Sequence, residues 1–297
     1  MAGELDALAR TLDEALGLAL HPDRISRVSG GSINECYRCL SAAGPAIFLK
    51  ITSAAERAMF ETEAAGLAEL ESAHAVRVPR VLGQGATHEH AWLALEWITF
   101  GRTTAKSAAA LGEQLARQHR VSATSFGWQQ NNTIGRTPQH NRWHQDWVTF
   151  FRDQRLRYQL DLARRNGHDG RLQARGRRLL ECVGEFFATY RPVASLLHGD
   201  LWGGNWATDE ADQPVIFDPA VYYGDREADL AMTRLFGGYP AEFYAAYAAG
   251  WPPDAGAATR VDLYNLYHVL NHLNLFGSGY RAHAVTLMDR LLAELGH

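Results

Sequence analysis

His198-Gly199-Asp200-Leu201-Trp202-Gly203-Gly204-Asn205, followed by Val215-Ile216-Phe217-Asp218, is the stretch on which the fold turns. An aspartate, an asparagine five positions on and a second aspartate closing an apolar run are the parts that phosphoryl transfer needs. One carboxylate accepts the proton of the attacking hydroxyl, while the amide oxygen and the other carboxylate hold Mg²⁺ against the phosphates of ATP. Asp200 is the expected base, and Asn205 and Asp218 are the expected metal ligands. Pro219 ends the strand, so that Asp218 points into a cleft instead of pairing in a sheet. The competing reading, two ordinary surface turns rich in Asp, Asn and Gly, fits either motif alone better than both in this order.

Upstream, Lys50 and Lys106 are the only lysines in a chain that otherwise uses arginine. Lys50 lies in Ile47-Phe48-Leu49-Lys50-Ile51, where strand alternation puts Ile47, Leu49 and Ile51 on one face and Phe48 and Lys50 on the other. A half-buried ammonium needs a partner. In the following helix Phe60, Glu63, Leu67 and Leu70 fall on one face, so Glu63 sits amid apolar residues while Glu61 and Glu69 point elsewhere. The spacing predicts a Lys50–Glu63 pair that sets Lys50 against the α/β phosphates, as in protein kinases. The plainer alternative is a snorkelling lysine and a surface glutamate. Gly30-Gly31-Ser32, between two predicted strands, is a weaker signal: Gly31 and Ser32 can bring backbone N–H groups to phosphate, but a Gly-Gly hairpin is commonly just a turn. The strand Trp92 to Ile98 ends between the two halves, where the backbone at Glu96, Trp97 and Ile98 can meet an adenine edge.

The pattern along the chain divides there. Helix from Gly3 to Leu18, strands within Ile25 to Leu40 and at Ala46 to Ile51, helix from Ala54 to Leu70, and strands at Val78 to Leu82 and Ala91 to Ile98 make a small sheet-rich lobe, residues 1–98. Residues 99–297 read as a mostly helical lobe with helices at Ala105 to His119, Trp143 to Arg164, Leu172 to Tyr190, Asp225 to Phe236 and Val261 to Leu275, and a polar loop at Gln129 to Asn141. The expected class is α+β, two lobes with a hinge near Ile98 to Gly101 over a cleft.

Composition narrows the partners. With 297 residues and 46% hydrophobic content the chain can fill two cores. A formal net charge of -4 without a basic run argues against nucleic acid. No stretch approaches the roughly 18 apolar residues of a membrane helix, and Met1 to Arg10 carries acids where a signal peptide has its apolar core, so a cytoplasmic protein is expected. The three cysteines, Cys36, Cys39 and Cys182, cannot form a disulfide framework. Cys36 and Cys39 have C-x-x-C spacing but no second pair, and on a strand they face opposite ways, so free thiols are the expectation over zinc or redox chemistry.

In this order the residues resemble the fructosamine kinase (ketosamine-3-kinase) family, within the protein-kinase-like aminoglycoside and choline phosphotransferase group. The resemblance rests on L-L-H-G-D-L-W-G-G-N from Leu196, F-D-P-A-V-Y-Y-G-D-R-E-A-D-L-A from Phe217 and L-F-G-G-Y-P from Leu235. P-Q-x-N at Pro138 to Asn141 and D-W-x-x-F-F-x-x-Q-R-L at Asp146 to Leu156 add to it. It implies a two-lobed kinase with ATP between the lobes, Mg²⁺ on Asn205 and Asp218, and transfer to the sugar O3 of a free or protein-bound ketosamine, which repairs glycation. It further implies substrate contacts at Trp202 and His198, with Trp202 as a platform for the sugar or its amine unless it is a core-packing tryptophan, and a buttressing Asp229 behind the catalytic loop. Several family members link two chains through a cysteine in the glycine loop; Ser32 stands there in this chain, which makes that link doubtful and leaves the oligomeric state open, a monomer being preferred. The runner-up is a kinase for another small alcohol, an aminoglycoside or choline, which the D-P-A-V-Y-Y-G-D-R-E run argues against. A non-catalytic nucleotide-binding scaffold is a third reading, opposed by the intact Lys50, Glu63, Asp200, Asn205 and Asp218.

Overall fold

A computed structural model describes residues 11–17, 20–28, 34–41, 44 and 46–296. The expected glycine turn, with Gly30, Gly31 and Ser32, lies outside the described residues, as does most of the Gly3 to Leu18 helix, of which α1 (residues 11–16) is described.

Five strands, β1 (Leu20–Val28), β2 (Glu35–Ser41), β3 (Ile47–Ser53), β4 (Val81–Ala86) and β5 (His90–Glu96), form an antiparallel sheet in the order β1-β2-β3-β5-β4. Alternation along β3 works as expected. Ile47, Leu49 and Ile51 pack with Leu12 of α1, Cys39 and Trp92 on one face. The other face meets α2 (Arg57–Ser72), whose Phe60, Leu67 and Leu70 join Leu93 and Leu95 in a core that continues through the helical part of the molecule to Leu292. Cys36, Cys39 and Cys182 are buried free thiols, as expected.

Beyond β5 come α3 (Ala105–Gln118), a hairpin of β6 (Asn132–Ile134) and β7 (Thr137–Gln139), and a helix built from α4 (Trp147–Phe150), a π-helical stretch Phe151–Arg157 and α5 (Tyr158–Arg165). Then follow α6 (Arg171–Cys182), β8 (Ser195–Leu197), β9 (Trp206–Thr208), β10 (Pro214–Ile216), β11 (Tyr222–Gly224), α7 (Glu227–Leu235), α8 (Ala241–Gly250), α9 (Ala257–Phe276) and α10 (Arg281–Glu294). Among the described residues no helix is long and apolar enough to cross a membrane.

Three features differ from the sequence expectation. The Gln129 to Asn141 segment is not a loop throughout, because Asn132 pairs with Gln139 across a two-residue turn at Gly135 and Arg136. The helix expected to reach Tyr190 stops at Cys182 and continues only as a 3₁₀ turn to Phe187. Helices α8 and α10 were not anticipated. In α8 the run Ala241–Gly250 is apolar nearly all round, so it carries no face period.

Candidate active site

The two motifs occupy two loops held side by side by short ladders. β8 pairs antiparallel with β11, and β9 with β10. The loop 198–205 therefore runs from β8 to β9, and the Asp218 turn runs from β10 to β11. Backbone bonds tie them together: Phe217 N donates to Asn205 O (3.0 Å) and Ala220 N to His198 O (2.8 Å). Contact is so close at Gly199 that a Cβ there would lie 2.0 Å from Ala220 O, and its φ of +85° is left-handed backbone in any case.

Asp229, from the first turn of α7, buttresses the loop from behind. Its carboxylate accepts from His198 N (2.7 Å) and Gly199 N (2.8 Å), and His119, itself bonded to Tyr247 OH at 2.8 Å, stands 3.2 Å away. Burial works against this charge, but the His119 contact and the donors around it hold Asp229 below the usual carboxylate range. His198 is fully buried. Its Nε2 donates to Phe217 O (3.0 Å) and its Nδ1 accepts from Asp200 N (3.3 Å). The expectation that His198 contacts substrate is thereby corrected: the imidazole is used up in joining the two loops.

Asp200 faces the opposite way, toward Asn205 and Asp218. Asn205 Nδ2 donates to Asp200 O (2.8 Å), Asp200 Oδ2 (3.3 Å) and Asp218 O (3.5 Å), so the nitrogen end of the amide is the one that joins the two loops. Burial, followed by the charges of Asp218 and Asp229, pushes the Asp200 carboxyl up to about 7. Asp218 holds a left-handed backbone, φ 58°, and its side chain is 48% exposed, which leaves it open to a ligand.

Lys50 and Glu63 meet as predicted. Lys50 Nζ lies 2.6 Å from Glu63 Oε1 and 2.5 Å from Asp218 Oδ1, so one ammonium joins sheet, α2 and the Asp218 turn. Burial alone would lower the Lys50 pKa; the two carboxylates more than reverse that and hold it above the ordinary lysine range, charged at any working pH. Glu63→Gln keeps the shape but leaves the buried ammonium with one carboxylate. It is expected to weaken ATP binding by about tenfold. A fluorescent-nucleotide titration checks this, and an unchanged Kd removes Glu63 from the phosphate site.

At the expected hinge, Glu96 N donates to Arg80 O (2.9 Å) and Trp97 N to Ala46 O (3.2 Å). The Glu96 carboxylate pairs with Arg77 at 3.3 Å, and Arg77 also pairs with Asp209. Trp202 is 39% exposed, with its indole laid over Gly204 and its edge toward Phe236 at 6.2 Å; Phe236 in turn packs on His272 at 4.9 Å. This aromatic row was missed beyond Trp202, although Phe236 lies in the quoted L-F-G-G-Y-P run. Also missed was Glu69, which accepts from Tyr223 OH (2.7 Å) and Trp128 Nε1 (3.4 Å) and so braces α2 against the helical part.

A lysine–glutamate pair under an antiparallel sheet, a buttressed aspartate loop and a second aspartate held beside it define the class of protein-kinase-like phosphotransferases. The profile of the fructosamine kinase family matches residues 5–294, and the chain belongs to that family. It is 42% identical over 286 residues to a "probable ketoamine kinase" of Synechocystis, covering 96% of both chains. To a chloroplastic protein-ribulosamine 3-kinase of Arabidopsis thaliana it is 41% identical over 282 residues, covering 94% of this chain and 86% of the relative. A crystal structure of a Thermobifida fusca protein, provisionally named fructosamine-3-kinase, superposes with a TM-score of 0.85 at 30% identity, covering 97% of this chain and 99% of that one.

Proposed function

We propose that the protein transfers the γ-phosphoryl group of ATP to the O3 hydroxyl of a ketosamine, a fructosamine or ribulosamine, free or on a protein amine, and so labilises the adduct in deglycation. The observation that carries this reading is the convergence of Asp200, Asn205, Asp218, Lys50 and Glu63 in one cluster, in a chain of this family. Asp200 accepts the hydroxyl proton; its raised pKa makes it a competent base near neutrality. Lys50, oriented by Glu63, neutralises the phosphates. Catalysis then comes from positioning and charge compensation more than from covalent chemistry.

The residues fit Mg²⁺. Among the described residues no group of three or more His, Cys, Asp and Glu is placed to hold a metal. The donors available are the half-exposed Asp218 carboxylate and the Asn205 amide oxygen, the end of that amide not used in tying the loops. One or two oxygen ligands with the rest supplied by phosphates and water is how Mg²⁺ is commonly held in kinases. When bound, the ion compensates charge on the phosphate oxygens.

The adenine edge is assigned to the backbone from Glu96 to Ile98, with Ile98 N as the donor because the amides of Glu96 and Trp97 are engaged elsewhere. Residues 1–98 then form the nucleotide lobe and 99–297 the substrate lobe. Trp202, with Phe236 and His272, offers an apolar and cation-tolerant face for the sugar or its amine substituent. Buried free thiols suit a reducing, cytoplasmic setting.

The test is ADP release with Mg·ATP, comparing a synthetic fructose- or ribulose-amine with kanamycin and choline. Turnover confined to the ketosamine is expected. Turnover confined to another alcohol keeps the kinase and removes the ketosamine assignment.

A further inference from the structure

The Pro138 to Asn141 run takes no direct part in the phosphate site, yet its amides are among the most deeply buried polar groups described. Asn132, Gln139 and Asn141 are 7%, 1% and 1% exposed, and Arg155 is 0% exposed. Burial of an amide is costly unless its donors and acceptors are met. Here they are met by one another and by the backbone that follows Asp218. Gln139 Nε2 donates to Ala220 O (3.0 Å) and Asn132 Oδ1 (2.9 Å), and Asn132 Nδ2 donates to Val221 O (2.8 Å). The amides are themselves held from outside. Tyr267 OH donates to Gln139 Oε1 (2.7 Å), Asn141 Nδ2 to Asn132 Oδ1 (2.8 Å), and Arg155 Nη2 to Asn141 Oδ1 (2.7 Å). Arg155 stacks on Tyr222 at 4.2 Å and Phe150 at 4.7 Å, which fixes the far end of the chain of bonds.

The two carbonyls so gripped lie two and three residues beyond Asp218, whose φ of 58° is sustained only where the surroundings over-determine it. On its other side the same turn is tied to the catalytic loop through Phe217 N and Ala220 N. An aliphatic side chain could fill the volume of Gln139, but it would leave Ala220 O buried without this donor.

We propose that Gln139 and Asn132 are positioning residues: by holding the carbonyls of Ala220 and Val221 they keep Asp218 in its left-handed conformation and thereby set the affinity of the site for Mg²⁺. This rests on the reading of Asp218 as a metal ligand.

The test uses the full chain and reads metal binding directly, as Mn²⁺ affinity by electron paramagnetic resonance in the presence of a non-hydrolysable ATP analogue. Nucleotide affinity in EDTA is measured alongside. Gln139→Met is expected to weaken Mn²⁺ binding by about tenfold. Tyr267→Phe, which keeps the ring and removes the hydroxyl that bonds Gln139 and Gln159, is expected to weaken it by about threefold. Metal-free nucleotide affinity should stay within about twofold in both. An unchanged Mn²⁺ constant, or an equal loss of metal-free binding, overturns the proposal, and if Gln139→Met does not fold, Tyr267→Phe decides by the same two numbers. Asp218→Asn, run in parallel, separates the two levels. If it leaves Mn²⁺ affinity intact, the metal reading itself falls; if it weakens Mn²⁺ binding by about a hundredfold while Gln139→Met does nothing, only the positioning role falls.

Discussion

Asp200→Asn is expected to lower kcat by about a thousandfold or more while ATP affinity stays within about twofold, because the proposed mechanism loses its general base and no phosphate contact. The same substitution is expected to stabilise the ligand-free protein at pH 8. In the folded state burial, reinforced by Asp218 and Asp229, raises the Asp200 carboxyl to about 7, so between the ordinary carboxylate range and pH 7 the folded chain binds more protons than the unfolded one. The group's contribution to stability is therefore present at low pH and is lost as pH rises through that window. An amide cannot ionise and escapes the loss. On the order of 1–2 kcal/mol, or roughly 3–6 °C in Tm, is the expected gain at pH 8, shrinking toward nothing at pH 4. Thermal melts across pH check it; a variant that loses activity and is equally destabilised at both pH values would point to a structural role instead.

Gly199→Ala is expected to have the largest effect on stability. The added Cβ would fall 2.0 Å from Ala220 O, which accepts from the Gln139 amide while the N–H of the same residue donates to His198 O, and φ +85° is unfavourable for any L side chain. Strain and overpacking together cost on the order of 3–4 kcal/mol, or about 6–12 °C in Tm. Activity should fall by about a hundredfold or more, since both functional loops must shift to make room. Gly203→Ala is the control: four residues along the same loop, its Cβ would meet only Phe236 O at 4.0 Å, and near-normal stability is expected. Equal melting curves for the two variants would show that the loops tolerate separation.

Local periodicity made the Lys50–Glu63 contact readable. Alternation through Ile47 to Ile51 and the helical face of Phe60, Glu63 and Leu67 require only neighbours in sequence, and the structure places Lys50 and Glu63 in contact. Asp200, Asn205 and Asp218 were legible as a motif of residue types in order, and the fold brings the three side by side. What escaped depends on contacts distant in the chain. His198 carries a residue type suited to catalysis, and only the fold reveals that Phe217 O and Asp200 N consume its ring. The run after Phe217 reads as a signature, yet most of its charges serve the framework. Asp225 accepts from Tyr190 OH and Tyr264 OH, and Glu227 pairs with Arg260, all away from the opening. Polar composition made Gln129 to Asn141 look like a surface loop, because nothing local discloses that Ala220 O and Val221 O are waiting for its amides. The absence of a face period hid α8, which packs its Phe243 and Tyr247 into the core.

The central claim, transfer to O3 of a ketosamine, is tested most directly by identifying the product. The protein is incubated with Mg·ATP and a fructosamine carrying ¹³C in the sugar, and the phosphorus–carbon couplings of the product are read by NMR. A phosphate coupled to C3 of the ketosamine is the predicted result; ADP formed without a sugar phosphate, or phosphate on another hydroxyl, would contradict it.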